Sequence, residues 1–128
     1  YKNIELNKKN LQWHMETIKS VLEINKEFIE LKKEYSKYIA DSIAYSLILN
    51  LRSVYIIDCI KKKQKWNTKG LLSIIKDVSG SLEAYEGYLR IKNDERTKES
   101  LPVEEAERLL DYISKKITNQ ERWIKRKG

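Results

Sequence analysis

From Leu11 onward, apolar residues recur at the helical period: Leu11, Met15, Ile18 and Leu22 follow one another at spacings of four, three and four. A neighbouring stripe continues through Ile24, Phe28, Leu31, Tyr35 and Tyr38. Together the two stripes predict one wide apolar face on a single helix. Lys19, Glu23, Lys26, Glu27, Glu30, Lys33, Glu34 and Lys37 supply the opposite side, with Glu and Lys neighbours at helical spacing. Neither glycine nor proline occurs before Gly70, so nothing breaks this element by force, and it is predicted to run from about Asn7 to Ile39.

Asp41 and Ser42 are candidate caps for a second helix, Ile43 to about Lys63. It is apolar almost all round, which places it in the middle of a bundle. Its narrow polar strip of Ser42, Ser46, Asn50 and Ser53 permits close helix packing or lines a groove. A short third helix starts at Asn67 or Thr68, carries Leu71, Ile75 and Val78 on one side, and ends at Gly80 as a left-handed cap. Ser81 caps a fourth helix with Leu82, Tyr85, Tyr88 and Leu89, and the polar stretch from Asn93 to Ser100 reads as a loop. Pro102 suits a first helical turn, where Glu104, Glu105 and Glu107 lie near the positive end of the dipole. Val103, Ala106, Leu110, Ile113, Ile117 and Ile124 form the expected buried stripe of this fifth helix. The predicted fold is all-α: a mostly antiparallel bundle of about five helices, three long and two short, in one domain spanning residues 1–128.

Composition narrows the chemistry. One cysteine, Cys59, and one histidine, His14, rule out a disulfide scaffold and thiol-rich metal sites, which need several soft or imidazole ligands. No metal or cofactor is expected. The first ten residues lack the apolar run of a signal peptide. The most apolar stretch, Ile43 to Ile60, contains Asn50, Arg52 and Asp58, costly groups in lipid, so it is read as a buried helix of a cytoplasmic protein with no membrane partner. The chain opens on Tyr1 rather than Met, as an excised portion of a longer protein would.

The net charge of +7 is unevenly spread: residues 1–51 carry +1, 52–76 carry +6, 77–114 carry −5 and 115–128 carry +5. The basic excess is therefore local, and it suits one or two anion sites better than a polyanion-binding surface. Lys61, Lys62, Lys63, Lys65 and Lys69 surround Trp66, and a second basic run, Arg122 to Lys127, contains Trp123. Each pattern suits base stacking beside phosphates, or a Trp that closes the core while the lysines stay in water.

Catalytic sets are missing. Neither GxGxxG nor GxxxxGK[ST] occurs, and no Asp-x-Asp pair offers two carboxylates to magnesium. His14 sits on the first helix as an ordinary residue, and Cys59 reads as a small core thiol. Leu71 to Arg90 superficially resembles a helix-turn-helix, but its second helix carries Glu83 and Glu86, which phosphates would repel. Arg52 stands on the apolar helix, where an unpaired guanidinium is expensive, and Tyr55 follows on the same side. Tyr85, Tyr88 and Lys92, with Arg90 beside them, form a similar line on the fourth helix. If the two helices face each other, these six enclose an aromatic, cationic groove for a nucleobase and phosphates. The competing reading is a structural pair of Arg52 with Asp58 or Glu86.

The segments 51-LRSVYIIDC-59, 84-AYEGYLRIK-92 and 104-EEAERL-109 resemble the helical C-terminal region of archaeal minimal nucleotidyltransferase-type proteins. That region is similar to the HEPN-like, substrate-binding bundles that accompany such enzymes. The resemblance covers about residues 42–123. Gly80-Ser81 is not followed by paired aspartates, and Cys59 stands seven residues beyond Arg52 with no histidine after it. Both the nucleotidyltransferase signature and the HEPN ribonuclease motif are thus absent. The resemblance implies a binding role without the catalytic parts: Arg52, Tyr55, Tyr85, Tyr88, Arg90 and Lys92 would hold a nucleotide or nucleic-acid end beside a nucleotidyltransferase domain or subunit. Two other classes remain open. One is a basic, non-catalytic nucleic-acid-binding subunit of a replication or repair complex. The other is a structural bundle that forms homo-oligomers through apolar helix faces. Abundant Lys, Glu and Ile beside three Gln hint at a thermophilic source.

Overall fold

The computed structural model describes residues 8–127, and within them the chain is a five-helix bundle with one small sheet. The elements, in order, are α1 (Lys8–Lys33), β1 (Tyr38–Ala40), α2 (Asp41–Lys61), α3 (Thr68–Ser79), α4 (Glu83–Lys92), β2 (Glu99–Pro102) and α5 (Val103–Lys127). The expected start of the first helix at Asn7 lies outside the described residues.

α2 is the central helix and packs against α4, α5 and α1, while α1 and α3 also lie on α5. Ala44, Leu47, Ile48, Leu51, Val54 and Ile57 of α2 are buried. By length and composition α2 could cross a membrane; here it is the core helix of the bundle. Its polar strip serves mainly packing: Asn25 of α1 donates to Ser46 Oγ at 2.9 Å, and Ser53 Oγ donates to Leu49 O at 3.2 Å. Asn50 is buried, and among the described residues its amide nitrogen has no hydrogen-bond partner.

The first helix ends six residues earlier than expected. After Lys33 the chain turns and pairs Ile39 with Leu101 in an antiparallel two-stranded sheet. Both side chains are buried, and Lys37 O and Lys98 O extend the ladder by accepting from Val103 N and Asp41 N. The end of the expected loop, Glu99 and Ser100, is therefore strand, and Pro102 closes it where no further donor is required. Continuing α1 through Ile39 would leave Leu101 without its cross-strand partner.

Of the two stripes on α1 only one is core. Leu11, Met15, Ile18, Leu22 and Ile29 are buried, whereas Ile24, Phe28, Leu31, Tyr35 and Tyr38 face outward. The single wide buried face is corrected to a narrow one. On α5, Leu109 takes the core position expected for Leu110. At 100° per residue Leu110 lies nearer the stripe's centre than Leu109, so the burial of Leu109 is imposed by the neighbouring helices rather than by the helical period.

α3 begins at an Asn67 cap, whose side chain accepts from Gly70 N, and ends at Gly80 with φ 99°, as expected. α2 and α4 end differently, with Lys63 (φ 58°) and Asp94 (φ 55°) in the left-handed region. In each, the following N–H returns to a carbonyl of the last turn, Gln64 N to Cys59 O and Glu95 N to Arg90 O, both at 2.8 Å.

Candidate ligand-binding cleft

The C-terminal half of α2 and the start of α3 enclose a cleft of about 260 Å³ lined by Arg52, Tyr55, Ile56, Trp66, Asn67, Thr68 and Leu71. Helical spacing puts Arg52, Tyr55 and Ile56 on one side of α2. The segment after α2 then returns the chain so that Trp66 and the α3 N-terminus close the other wall. Tyr55 Oη accepts from Asn67 N at 3.3 Å, and Asn67 Oδ1 accepts from Gly70 N at 2.7 Å. One hydroxyl thus joins the α2 wall to the α3 cap. A Cβ at Gly70 would meet the Tyr55 hydroxyl, so a larger residue there would displace the end of the Tyr55 side chain.

Trp66 is 44% exposed, and Lys61, Lys62, Lys63, Lys65 and Lys69 are exposed along the same connection. The cleft therefore combines a guanidinium, a phenol and an indole beside a lysine-rich segment and the positive end of the α3 dipole. Trp123 differs from Trp66, being partly buried against the core.

The six residues expected around one groove are divided in two. Arg52 and Tyr55 line the α2/α3 cleft, together with Trp66 from the basic run. Tyr85, Tyr88 and Lys92 sit with Tyr45 where α4 crosses α2. Tyr88 is buried and stacks on Tyr45 and Tyr85, with ring centroids 5.3 and 5.5 Å apart, and Lys92 Nζ lies 5.9 Å from its centroid. This close crossing depends on Gly87, where a Cβ would stand 2.9 Å from Asp41 Oδ1 and 3.1 Å from Ala44 Cβ.

Arg90 is engaged by its own fold. Its Nε and Nη2 donate to Asp41 Oδ2 and Oδ1 at 2.7 and 2.9 Å, and Nη2 also donates to Ser100 Oγ at 3.0 Å. Asp41, expected as a helix cap, is instead the first residue of α2 and the buried centre of this network, accepting also from Lys98 N at 2.8 Å. Burial pushes the Asp41 carboxyl up, but the hydrogen bonds from Arg90 and Lys98 and the Arg90 charge outweigh it and hold the group below its ordinary value.

Asp58 and Glu86, the two candidate partners of Arg52, also hold contacts of their own on α5 and α4. Asp58 accepts from Lys116 Nζ at 2.5 Å and from Gln120 Nε2 at 2.9 Å. The Asp58 hydrogen bond raises the Lys116 pKa above its ordinary value. Gln120 also donates to Val54 O at 2.8 Å, locking α5 to α2. Glu86 sits beside Glu83, whose hydrogen bond and negative charge raise its pKa. These two carboxylates line a second cleft of about 480 Å³ with Leu89, Arg90, Asn93, Glu95 and Lys98. Three carboxylates there disfavour an anionic guest, so of the two clefts the α2/α3 one suits an anion better.

Asp41 and Gln120 are the residues that periodicity does not single out. Asp41 reads like any cap, and Gln120 carries no mark beyond its place on the buried stripe between Ile117 and Ile124. His14 is exposed and Cys59 is buried. Among the described residues no group of three His, Cys, Asp or Glu side chains is placed to hold a metal. No protein-family profile, curated protein or solved structure matches the chain.

Proposed function

We propose that this chain is a non-catalytic helical substrate- or partner-binding domain of a nucleotidyltransferase-like system. In this reading the α2/α3 cleft holds the phosphorylated end of a nucleotide or nucleic acid while another domain or subunit supplies the chemistry. The observation that carries the reading is the convergence of Arg52, Tyr55 and Trp66 on one cleft at the head of α3. Arg52 offers a planar fork for phosphate oxygens, the indole of Trp66 a stacking face for a base, and the Lys61 to Lys69 segment the field that draws an anion in.

Tyr85, Tyr88, Arg90 and Lys92 then contribute by fixing α4 against α2 rather than by touching the ligand. This departs from the role that the segment resemblance implies for them, which gives all six residues to the ligand.

The direct test is tryptophan fluorescence during titration with a nucleoside triphosphate and, separately, with a 5′-phosphorylated oligonucleotide. Saturable quenching that disappears in Trp66→Phe is the expected result. Quenching that persists in Trp66→Phe, or none at all, contradicts the assignment. The exposure of the five lysines between Lys61 and Lys69 favours a second reading, a basic nucleic-acid-binding subunit in which the cleft is incidental. That alternative requires binding to long single strands regardless of a terminal phosphate.

A further inference from the structure

The outward stripe of α1 is unusual for a chain in which 35% of residues are charged. Trp13, Ile24, Phe28, Leu31, Tyr35 and Tyr38 are 49% to 69% exposed. At roughly 100 Å² each they present about 600 Å² of apolar side chain, the upper end of what a monomer normally leaves in one patch. With its polar margin the patch approaches the ~800 Å² per partner of a standard interface. None of these residues lines the α2/α3 cleft, so the stripe is a separate feature from the proposed ligand site.

Its spacing says what kind of surface fits. Val21, Ile24, Phe28 and Leu31 follow one another by three, four and three, the a/d repeat of a helix that packs along another helix; Tyr35 lies in the turn after α1 and Tyr38 opens β1, and both extend the exposed apolar edge beyond the helix. The helical part of this run ends with α1 at Lys33, and the hydrogen bonds of Glu34, Tyr35 and Ser36 to Leu31 O and Lys32 O continue one further turn.

The flanks carry the argument for an occupant. Lys19 and Lys33, on the side toward α5, pair with Glu121 and Glu107. Glu23, Glu27, Glu30 and Glu34, along the stripe's near flank, have no ion pair among the described residues. An acidic margin opposes docking on an anionic lipid surface. In the a/d register Glu27 is a g position and Lys32 the following e position. Two copies side by side in parallel therefore set Glu27 of one against Lys32 of the other, on both sides of the seam. An antiparallel pair would set the Glu27 and Glu34 carboxylates of the two copies against each other. Lys32 already pairs with Glu99 at 2.7 Å, at a solvent-accessible site where a second carboxylate can share it.

We propose that the exposed stripe of α1 is the contact between two copies of this chain, paired in parallel about a two-fold axis that runs along the helix. The contact is isologous, so the same residues serve both sides and the association closes at two.

Sedimentation of the full chain over a wide concentration range tests this. The mass should rise from 15.3 kDa toward twice that value. Phe28→Glu and Leu31→Lys, both at exposed positions, should hold it at the monomer with an unchanged melting temperature. Single cysteines at Thr17→Cys and Ile24→Cys, read against the buried Cys59, should each oxidise to a self-linked dimer. A mass fixed at the monomer at every concentration overturns the proposal, as does a dimer that survives both charged variants. Linking of only one of the two cysteine variants overturns the parallel arrangement.

Discussion

Asp41 illustrates how a single residue sets both stability and pH response. Its side chain is 1% exposed and receives two hydrogen bonds from Arg90 and one from a backbone N–H. Removing one member of such a buried pair leaves the other uncompensated, at a cost of about 3 kcal/mol. Asp41→Asn should therefore lower stability by about that amount in urea melts at neutral pH. Because the folded Asp41 pKa lies below its ordinary value, this stabilisation is present above the ordinary carboxylate range. It is lost as pH falls through the folded pKa. Wild type should lose stability across that acid window, and the Asp41→Asn variant should show a shallower loss; parallel pH profiles would contradict the assignment. At the cleft, Gly70→Ala should displace the Tyr55 ring and weaken ligand affinity several-fold, read by the same fluorescence titration. Unchanged affinity would remove Tyr55 from the site.

At the scale of elements, two helices end on left-handed residues that are not glycine. Lys63 at φ 58° and Asp94 at φ 55° each carry the steric cost of a Cβ in that region. Replacing either with Gly should raise stability by up to about 1 kcal/mol, visible as a higher urea midpoint with unchanged slope. A fall in midpoint would mean that the side chain holds a contact worth more than the strain. The elements themselves were largely legible from the chain: α3 begins at Asn67 and ends at Gly80 as capping chemistry demands. What periodicity could not decide was tertiary. Ile39 fits the helical stripe of α1, yet it pairs with Leu101, a residue about sixty positions away. The helical period favours Leu110 over Leu109, yet Leu109 is the one that is fully buried. The second α1 stripe has the same pattern as a core stripe, and only the arrangement of α2 and α5 leaves it outside. The candidate site was partly legible for the same reason. Arg52 and Tyr55 share a side because they lie three residues apart, whereas Trp66 joins them only through the turn between α2 and α3. Arg90 is drawn away by Asp41, a partner on another element.

For the whole molecule, the charge map and the fold give one picture. The excess positive charge of residues 52–76 is gathered on the exposed Lys61 to Lys69 connection beside the α2/α3 cleft, and acidic groups line the cleft beside α4. A phosphorylated ligand should therefore enter on one face only. A terminal-phosphate site using Arg52 and a few lysines neutralises few phosphates, so log K against log salt should have a shallow slope, about −1 to −3. A steep slope that grows with oligonucleotide length would favour the nucleic-acid-binding subunit instead. The measurement that bears most directly on the account compares wild type with Arg52→Gln in parallel, by calorimetric titration with a nucleoside triphosphate and by thermal melting. The account predicts an affinity loss of about tenfold or more, about 1.4 kcal/mol, with little change in melting temperature. A lower melting temperature with unchanged affinity would contradict it and make Arg52 a structural residue of α2.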